Sequence, residues 1–398
     1  MRLAYLGYPH LGGTYGVFRH LRSGLAPAGI EVRWLGAGPG AHEAFAAPCW
    51  ASERPHGSVV GNPDGDGRSL GLAVLCAITQ EGFDGVFVNV LTSRAEMNVA
   101  RYLPAAITRI MIVHNITPGT YAAARAIRDY VHATVGVSPR IFRDLVGRHH
   151  FDPVRTFVIP NAVDQMALAG PRAPYDGKLR LIYLGRIEDA AKNVFLLPRI
   201  LDGLDPGITL TVAGDGPDLP ALRRRCSGLR NRIAFAGAVQ PEQVPALLAV
   251  HDVLLMPSRF EGFGLTLVEA MASGCVPVAT RLSGVTDAIV TDEHDGLLVS
   301  AGKVWAAQFA INRLAGDRVA LRRLSDAARE TARHYFSVEQ MAARYRDVIA
   351  SARTAPALPA EPLDAAAWRL PPRMRAGLRT YLPTRTKNFL RVMRERIT

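Results

Sequence analysis

Short apolar runs rich in β-branched residues recur along the chain and alternate with amphipathic segments. Such runs, bounded by Gly, Pro or Asn, predict strands, and near-continuous apolar strands separated by helices are typical of a parallel sheet covered on both faces. The series occurs twice, so we expect two doubly wound α/β domains. The first set of expected strands is 2–7, 30–36, 84–90, 109–115, 133–138 and 155–161, and the second is 179–185, 208–214, 232–237, 252–258, 275–280 and 295–300.

A loose stretch rich in Ala, Pro and Gly separates the two sets. The length of 398 residues also favours two domains over one. We therefore expect an N-terminal domain over 1–164, a linker over 165–178 and a C-terminal domain over 179–335. The run "FSVEQM" carries the residues of a capping box and predicts a helix over 336–352. We expect this helix to cross back to the N-terminal domain. Residues 353–398 form a connector and a basic amphipathic tail.

The composition is that of a folded protein in a reducing compartment. Hydrophobic residues make up 48% and charged residues 21% of the chain, and no apolar run reaches the roughly 18 residues that a membrane span needs. The N-terminal stretch turns to Gly and Pro before a signal-peptide core can form. The four cysteines lie far apart without C-x-x-C spacing, which favours free thiols over a zinc site. We expect a cytoplasmic location.

The positive charge is concentrated at the C-terminal end. Residues 353–398 carry 10 basic and 3 acidic side chains, a net +7 out of +12 for the whole chain. Two interpretations of 369–398 stay open: an amphipathic helix on an anionic membrane surface, which would place the protein at the inner face of the membrane, or packing on the N-terminal domain. Nucleic acid is not an expected partner, because no recognition fold accompanies the charge. The apolar residues at helical spacing are Met374, Leu378, Tyr381, Leu382, Phe389, Val392, Met393 and Ile397.

A glycine-rich loop, "GYPHLGG", connects the first expected strand to the first helix. Gly12 and Gly13 allow close approach of the backbone to a ligand, and the helix N-terminus behind them offers unpaired N–H groups to an anion. A plain turn explains the same residues equally well.

In the second series, Arg186 follows an expected strand and Lys192 lies six residues further along. A guanidinium that forms forked hydrogen bonds and an ammonium that acts as a point charge together suit a diphosphate. Both residues are equally compatible with a solvated surface. Lys192 is informative because the chain contains only four lysines.

The stretch "SRFEGFGLTLVEA" places Glu261 on the loop before a helix and Glu269 inside that helix. Packing explains the apolar residues between them but not the two acids. Carboxylates accept hydrogen bonds from sugar hydroxyls, and the N–H groups of 263–265 at the helix N-terminus suit a phosphate.

In combination, these residues resemble the retaining nucleotide-sugar glycosyltransferases of family 4, which have the GT-B fold. The pair Glu261 and Glu269 is similar to the family's glutamate–seven–glutamate motif. The resemblance extends in the family's order from residue 1 to about 350. It implies two Rossmann-like doubly wound parallel-sheet domains facing across a cleft. The other matching segments are the "GG" loop, "VHN" (113–115), "IPNAVD" (159–164), "LGR…K" (184–192), "AGDGP" (213–217), "FAGAV" (235–239), "AMASGCVPVAT" (270–280) and "HDGLLV" (294–299).

The resemblance also implies roles for individual residues. Arg186 and Lys192 would bind the donor diphosphate, Glu269 the ribose, and Glu261 the hydroxyls of the transferred sugar. His114 would face the reacting sugar. The residues implied in donor binding besides these are Gly12, Gly13, Gly214, Val239 (near the nucleobase), Gly262, Phe263, Gly264 and Leu265, and those implied in acceptor binding are Thr14, Tyr15 and Asn115. Asp287 departs from the family, which commonly has glutamate there.

The implied reaction is transfer of a hexose from a UDP- or GDP-linked donor to a carbohydrate or lipid-linked acceptor, in glycan, polysaccharide or glycolipid biosynthesis. No carboxylate is evidently placed as a covalent nucleophile, so we expect front-side displacement with retention. Two side-chain cations beside the leaving diphosphate predict that no metal or other cofactor is required. The alternatives are a nucleotide-sugar epimerase of related fold and a non-catalytic partner that binds sugar nucleotides.

Overall fold

A computed structural model describes residues 1–90, 93–172, 177–229, 231–354, 358–375 and 382–397. The chain forms two compact units. The first consists of Met1–Ala162 and Val338–Ala376, and the second of Val163–Ser337 and Gly377–Thr398.

The first unit contains a seven-stranded parallel sheet with the strand order β3-β2-β1-β4-β5-β6-β7. The order reverses at β1, which is where doubly wound sheets place their ligand sites. The strands are β1 Arg2–Leu6, β2 Glu31–Ala37, β3 Gly57–Val60, β4 Gly85–Asn89, β5 Thr108–Val113, β6 Ala133–Gly136 and β7 Thr156–Val158.

The second unit contains a six-stranded parallel sheet with the order β10-β9-β8-β11-β12-β13. Its order reverses at β8, and β8 and β11 are neighbours there. The strands are β8 Arg180–Leu184, β9 Thr209–Ala213, β10 Ile233–Gly237, β11 Val253–Met256, β12 Val276–Thr280 and β13 Leu297–Val299.

Each expected strand overlaps an observed one, so the two doubly wound domains predicted from the sequence are confirmed. One observed strand, β3, was not predicted from the sequence. This strand has four residues, lies at the edge of its sheet and pairs with β2 alone. A short edge strand needs no continuous apolar run, and periodicity therefore gives no signal for it.

Helices connect the strands in both units. In chain order they are α1 Gly13–Leu25, α2 Pro39–Ala46, α3 Gly67–Gln80, α4 Arg94–Asn98, α5 Pro118–Ile127, α6 Pro139–Arg143, α7 Gln165–Leu168, α8 Asp189–Lys192, α9 Leu196–Asp202, α10 Leu219–Arg225, α11 Val244–Ala249, α12 Leu265–Ala272, α13 Val304–Gly316, α14 Arg318–Tyr335, α15 Val338–Thr354 and α16 Thr384–Ile397. In the described part of the chain, none of them is both long enough and apolar enough to cross a membrane.

Helix α15 belongs to the first unit, where it packs on α1. The contact is close at Gly24, since a Cβ there would lie 2.8 Å from the Cβ of Ala342. The Tyr345 ring meets the Phe87 ring edge-on, with 5.7 Å between centroids. Helix α15 thus covers one face of the first sheet.

The described parts of the tail lie on different units. Within the first unit, Trp368 stacks on Tyr102 with 4.5 Å between ring centroids, and the Tyr102 hydroxyl donates to the Arg369 carbonyl oxygen. Met374 is buried in the same unit. Helix α16 belongs to the second unit, where it contacts α8. Leu378 and Tyr381, which the amphipathic pattern included, lie outside the described residues.

Candidate functional site

The candidate site in the second unit is built at the carboxyl ends of β8 and β11. The loop after β8 carries Arg186 and continues into α8, whose last residue is Lys192. The loop after β11 carries Glu261 and leads into α12. Because β8 and β11 are adjacent and parallel, their carboxyl ends meet at the same edge of the sheet. Residues 69 positions apart in sequence are brought together in this way.

Lys192 and Glu261 form an ion pair. The Lys192 Nζ lies 2.5 Å from the Glu261 Oε1, and the side chains are 26% and 10% exposed. The Ser258 hydroxyl donates to the same oxygen at 2.8 Å. Glu261 Oε2 has no hydrogen-bond partner among the described residues. The pair is therefore shielded on one side and keeps hydrogen-bonding capacity for a ligand on the other.

Arg259, which was not predicted from the sequence as a site residue, links the two loops through hydrogen bonds. Its guanidinium donates to the Asp189 carbonyl oxygen and lies 3.1 Å from the Asp189 Oδ2. Its backbone N–H donates to the Ala191 carbonyl at 2.8 Å. Asp189 and Ala191 both belong to α8, so Arg259 holds the helix that carries Lys192 against the loop that carries Glu261. An arginine two residues before Glu261 was the available signal.

Arg186 is the most open of the expected site residues in this unit, with a side chain that is 67% exposed. Its guanidinium lies 3.7 Å from Glu188, an exposed contact that contributes little to stability. The backbone beneath it is fixed, since the buried Tyr183 hydroxyl donates to the Arg186 carbonyl at 2.6 Å. The side chain is thus free to reorient on a rigid base.

Gly214 supports the Arg186 loop. It follows β9 with φ 134°, and a Cβ there would lie 1.9 Å from the Gly185 carbonyl oxygen. Only glycine allows this approach. The neighbouring loops are also joined by the Ile187 N–H, which donates to the Asp215 carbonyl at 2.8 Å. The geometry gives Gly214 a positioning role for Arg186.

The N-terminus of α12 presents a row of free backbone donors. In the described part of the chain, the N–H groups of 262–266 have no acceptor, and the first bond of the turn runs from Leu267 N–H to the Gly264 carbonyl at 3.0 Å. Gly264 has φ 106° and forms the sharp entry to the helix. The Phe263 side chain is buried and meets Phe336 edge-on. Gly262, Phe263, Gly264 and Leu265 can therefore contact a ligand through their amides.

Glu269 lies in the second turn of α12. Burial among protein atoms raises the pKa of its carboxyl from 4.5 to about 7. Its side chain forms no hydrogen bond or ion pair with any described residue. A carboxyl with a pKa shifted by desolvation and no protein partner is a frequent feature of functional sites.

Val239 lies on the loop after β10 and is half-buried. The Gly214 N–H donates to the Gly237 carbonyl at 2.6 Å, which joins the ends of β9 and β10. Val239 therefore belongs to the same edge of the sheet as Arg186. Asp287, the departure from the family pattern, accepts a hydrogen bond from the Gly284 N–H at 2.6 Å and so closes a local turn.

The expected residues of the glycine loop lie at the carboxyl end of β1 in the first unit. Gly12 and Gly13 are exposed at the start of α1. The Thr14 hydroxyl bonds to His10 Nε2 at 2.8 Å. Tyr15 is buried, and its hydroxyl donates to the Glu53 carboxylate at 2.7 Å. Because that hydroxyl is engaged inside the unit, Tyr15 does not offer it to an acceptor.

His114 follows β5 and is buried beside the end of β4. Its Nε2 lies 2.9 Å from the Asn89 Oδ1, and the Asn89 amide donates to the Leu6 carbonyl at 2.7 Å. Burial lowers the pKa of His114 from 6.5 to about 4. The imidazole is therefore neutral at pH 7 and donates to Asn89 from Nε2, which leaves Nδ1 as an acceptor. Asn115 accepts a hydrogen bond from the Ile116 N–H at 2.8 Å.

Among the predicted site residues in the described part of the second unit, Lys192 and Glu261 form a direct side-chain contact. Residues 178–317, which contain both, match the family model "Glycosyl transferases group 1". This stretch is a glycosyl transferases group 1 domain.

Curated relatives share the similarity of this glycosyltransferase domain. The chain is 33% identical over 157 residues to sulfoquinovosyl transferase SQD2 of Arabidopsis thaliana, which covers 39% of this chain and 30% of the relative. It is 28% identical over 222 residues to a glycogen synthase of Mycobacterium tuberculosis, with 54% and 53% covered. It is 27% identical over 260 residues to a 2-deoxystreptamine N-acetyl-D-glucosaminyltransferase of Streptomyces fradiae, with 65% and 52% covered. The matches thus span about half or less of each relative.

Solved structures share the architecture over most of the chain. The HepE protein of Anabaena, in complex with UDP and glucose, superposes with a TM-score of 0.71 at 19% identity and covers 88% of this chain and 100% of its own. Sucrose-phosphate synthase of Thermosynechococcus elongatus gives a TM-score of 0.71 at 20% identity, with 88% and 99% covered. At these identities the likeness shows the fold, and the GT-B architecture of two Rossmann-like domains is confirmed.

Proposed function

We propose that this protein is a retaining glycosyltransferase that moves a hexose from a nucleotide diphosphate sugar to a carbohydrate or lipid-linked acceptor. The observation that carries the proposal is the grouping, at the carboxyl edge of the second sheet, of two cations, two carboxylates and a row of free amides. A glycosyl transferases group 1 domain contains all of them. Its product would belong to the synthesis of a glycan, polysaccharide or glycolipid.

The donor diphosphate binds to positive groups of the second unit. Lys192 has three N–H donors, of which one is directed to Glu261, so two remain for phosphate oxygens. Arg186 supplies a forked donor on an open side chain. The amides of 262–266 at the N-terminus of α12 add neutral donors and the positive end of the helix dipole.

The two carboxylates hold hydroxyl groups. Glu261 keeps Oε2 for the transferred sugar while Oε1 stays on Lys192 and Ser258. Glu269 accepts hydrogen bonds from the ribose hydroxyls. Its pKa of about 7 leaves the carboxyl partly protonated at pH 7, and hydrogen bonds from the diol shift it towards the ionised form. Val239 contacts the nucleobase.

The reaction proceeds by front-side displacement. The acceptor oxygen forms a bond to the anomeric carbon on the face from which the diphosphate leaves. The bond from that carbon to the diphosphate oxygen breaks, and its electron pair goes to the leaving group. The acceptor proton is transferred to a phosphate oxygen, and Arg186, Lys192 and the amides stabilise the charge. His114, which is neutral, accepts a hydrogen bond from a sugar hydroxyl and does not donate a proton.

The donor is a UDP- or GDP-linked sugar, and no metal is required. UDP is the first nucleotide to test, since the structurally similar HepE protein binds UDP and glucose. In the first unit, we assign acceptor binding to Thr14 and Asn115 and a part in donor binding to Gly12 and Gly13. The protein works in the cytoplasm and attaches peripherally to the inner face of the membrane.

A screen of thermal stability against UDP, GDP and their hexose conjugates tests the binding step, because a specific ligand raises the melting temperature. The preferred donor is then incubated with candidate acceptors, with and without EDTA, and the anomeric configuration of the product is read by NMR. Retention and activity in EDTA are expected. Inversion excludes the front-side mechanism, and loss of activity in EDTA excludes metal independence.

The same experiment separates the two alternative functions. An epimerase converts the donor sugar into its epimer without an acceptor. A binding partner raises the melting temperature but leaves the donor intact. Either result would replace the proposed transferase activity.

A further inference from the structure

Helix α16 is oriented in the opposite way to an ordinary surface helix. Its outward face carries Phe389, Leu390 and Met393, which are 64%, 45% and 40% exposed. Asn388 and Arg391 lie about half a turn away and are half-buried. A helix that packs for stability buries its apolar stripe and leaves its polar face in solvent. Packing on the second unit therefore does not account for Phe389, Leu390 and Met393.

The inward face of α16 reaches the candidate site. Helix α16 contacts α8, which ends at Lys192. The Arg391 guanidinium carbon lies 3.5 Å from the centroid of the Phe260 ring, a cation–π contact. Phe260 is buried and directly precedes Glu261. The helix that carries Lys192 and the residue that precedes Glu261 are thus both in contact with α16.

The charge of α16 indicates what covers its apolar face. The sequence of Thr384–Ile397 contains five cations, Arg385, Lys387, Arg391, Arg394 and Arg396, and one acid, Glu395. A sequence rich in cations, in a helix with exposed apolar residues, is typical of helices that lie in the interface of an anionic membrane. A nucleic acid would neutralise the cations but leave the apolar side chains in water. A second copy of α16 would bring like charges together.

We propose that α16 binds an anionic membrane surface through Phe389, Leu390 and Met393 while its inward face stays docked on α8 and Phe260, so that membrane attachment strengthens nucleotide binding at the neighbouring site. The docked helix already presents its apolar face outward, so no undocking is needed. A membrane that orders α16 also restricts α8 and the loop after β11, and a nucleotide that binds afterwards has less disorder to remove. The nucleotide part of this inference rests on the proposed function.

Vesicle binding tests the membrane contact. The full-length chain is sedimented with vesicles of phosphatidylcholine alone or mixed with anionic phosphatidylglycerol. We expect binding to the mixed vesicles only, weakening as salt is raised. Phe389→Ser combined with Met393→Ser is expected to reduce binding by about tenfold or more, since the apolar face is lost. Trp305→Ser with Phe309→Ser, at aromatic residues of α13 that are 68% and 66% exposed, is the matched control and binds like the wild type.

Equal binding to neutral vesicles, or full binding by the Phe389→Ser/Met393→Ser protein, overturns the membrane contact. Two other results overturn the membrane contact as well: wild-type protein that binds RNA but not anionic vesicles, or concentration-dependent dimerisation that only the Phe389→Ser/Met393→Ser protein loses. Either result assigns α16 to another partner.

Titration with UDP tests the coupling. Anionic vesicles are expected to tighten UDP binding by about fivefold. Arg391→Gln removes the contact with Phe260 and is expected to abolish this increase while vesicle binding persists. Lys387→Gln removes the same single charge from the same helix but leaves the contact between Arg391 and Phe260 in place, so it is expected to keep the increase in UDP affinity. An unchanged UDP affinity in wild-type protein bound to vesicles overturns the coupling.

Hydrogen–deuterium exchange gives a second measurement that needs no nucleotide. Anionic vesicles are expected to slow exchange in 189–193 and 258–263, and Arg391→Gln is expected to cancel that protection. Exchange that stays unchanged in both segments overturns the coupling. If protection appears but UDP does not bind in either condition, the restriction of both segments by the membrane-bound α16 stands and the proposed use of UDP fails.

Discussion

The carboxyl edges of the two sheets differ in the charge and burial of their polar side chains. At the edge of the second sheet, Lys192, Glu261 and Arg186 are charged side chains that lie partly in solvent. At the edge of the first sheet, His114 is buried and neutral. The contrast shows that two domains with the same Rossmann-like fold can differ in their sites: one has charged side chains at the edge of its sheet, and the other has a neutral hydrogen-bonding side chain. The proposed binding of a charged diphosphate concerns the edge of the second sheet, where the charged groups lie.

The largest test of this contrast is Lys192→Ala. In the proposed mechanism the ammonium stabilises the leaving diphosphate, so we expect its removal to lower kcat/KM by about 10²- to 10³-fold. Steady-state kinetics with the preferred donor measure the effect. Lys303→Ala, an exposed lysine of the same unit, is the control and should keep wild-type kinetics. A loss of less than about threefold in Lys192→Ala would exclude the proposed diphosphate contact.

Glu261→Gln tests the carboxylate of the same ion pair. The amide keeps the shape but no longer balances the Lys192 ammonium, and we expect the donor KM to rise by about 10- to 100-fold with a smaller change in folding stability. Donor titration and thermal melting separate the two effects. Glu293→Gln removes an exposed acid paired with Arg313 and serves as the matched control. An unchanged donor KM would remove Glu261 from the site.

The pH dependence of stability should have opposite signs in the two units. The pKa of Glu269 is about 7 in the folded protein, above its ordinary value of 4.5, so the folded state binds more protons between these values. Stability of the second unit should therefore fall as pH rises from 4.5 to 7. Glu269→Gln should remove about 1–3 kcal/mol of that dependence. Urea unfolding monitored by hydrogen exchange in each unit measures it; a parallel pH profile in the variant would contradict the environment assigned to Glu269.

His114 should give the first unit a pH dependence of stability opposite in sign to that of Glu269, and its replacement should have only a small effect on activity. Its folded pKa is about 4, below the ordinary 6.5, so the unfolded state binds more protons between these values. Stability of the first unit is complete above pH 6.5 and is lost as pH falls towards 4. His114→Gln should weaken that loss and lower kcat by about tenfold or less, without changing the shape of the pH–rate profile between 6 and 8. A shift of that profile would show that His114 titrates during turnover.

Much of the architecture could be predicted because it depends on local pattern. The apolar runs with β-branched residues predicted the position of every strand except β3. This short strand lies at the edge of the sheet and pairs with β2 alone, so it needs no continuous apolar run. Helix α15 was expected at the capping residues of 336–341, and the structure has it over Val338–Thr354. Pattern predicts elements well when burial on both faces demands it.

The site was predicted less completely because its contacts join distant parts of the chain. The motif marked Lys192 and Glu261, but their ion pair and the Arg259 contact with Asp189 depend on the adjacency of β8 and β11. Tyr15 was expected to meet an acceptor, yet its hydroxyl bonds to Glu53, which lies 38 positions away. Polar side chains give no sign in sequence of which partner they will find.

By itself, the sequence determined two doubly wound domains and the residue types at the ends of their strands, because hydrophobic periodicity and turn residues act over a few neighbouring positions. Only the tertiary structure decided which of those residues are charged, paired or buried: Glu269 is raised to a pKa of about 7 and His114 lowered to about 4 by burial that the packed strands and helices create. It also decided the orientation of α16, whose apolar face points outward. Protonation and exposure are set by the surroundings of a side chain, and those surroundings form only when distant segments meet.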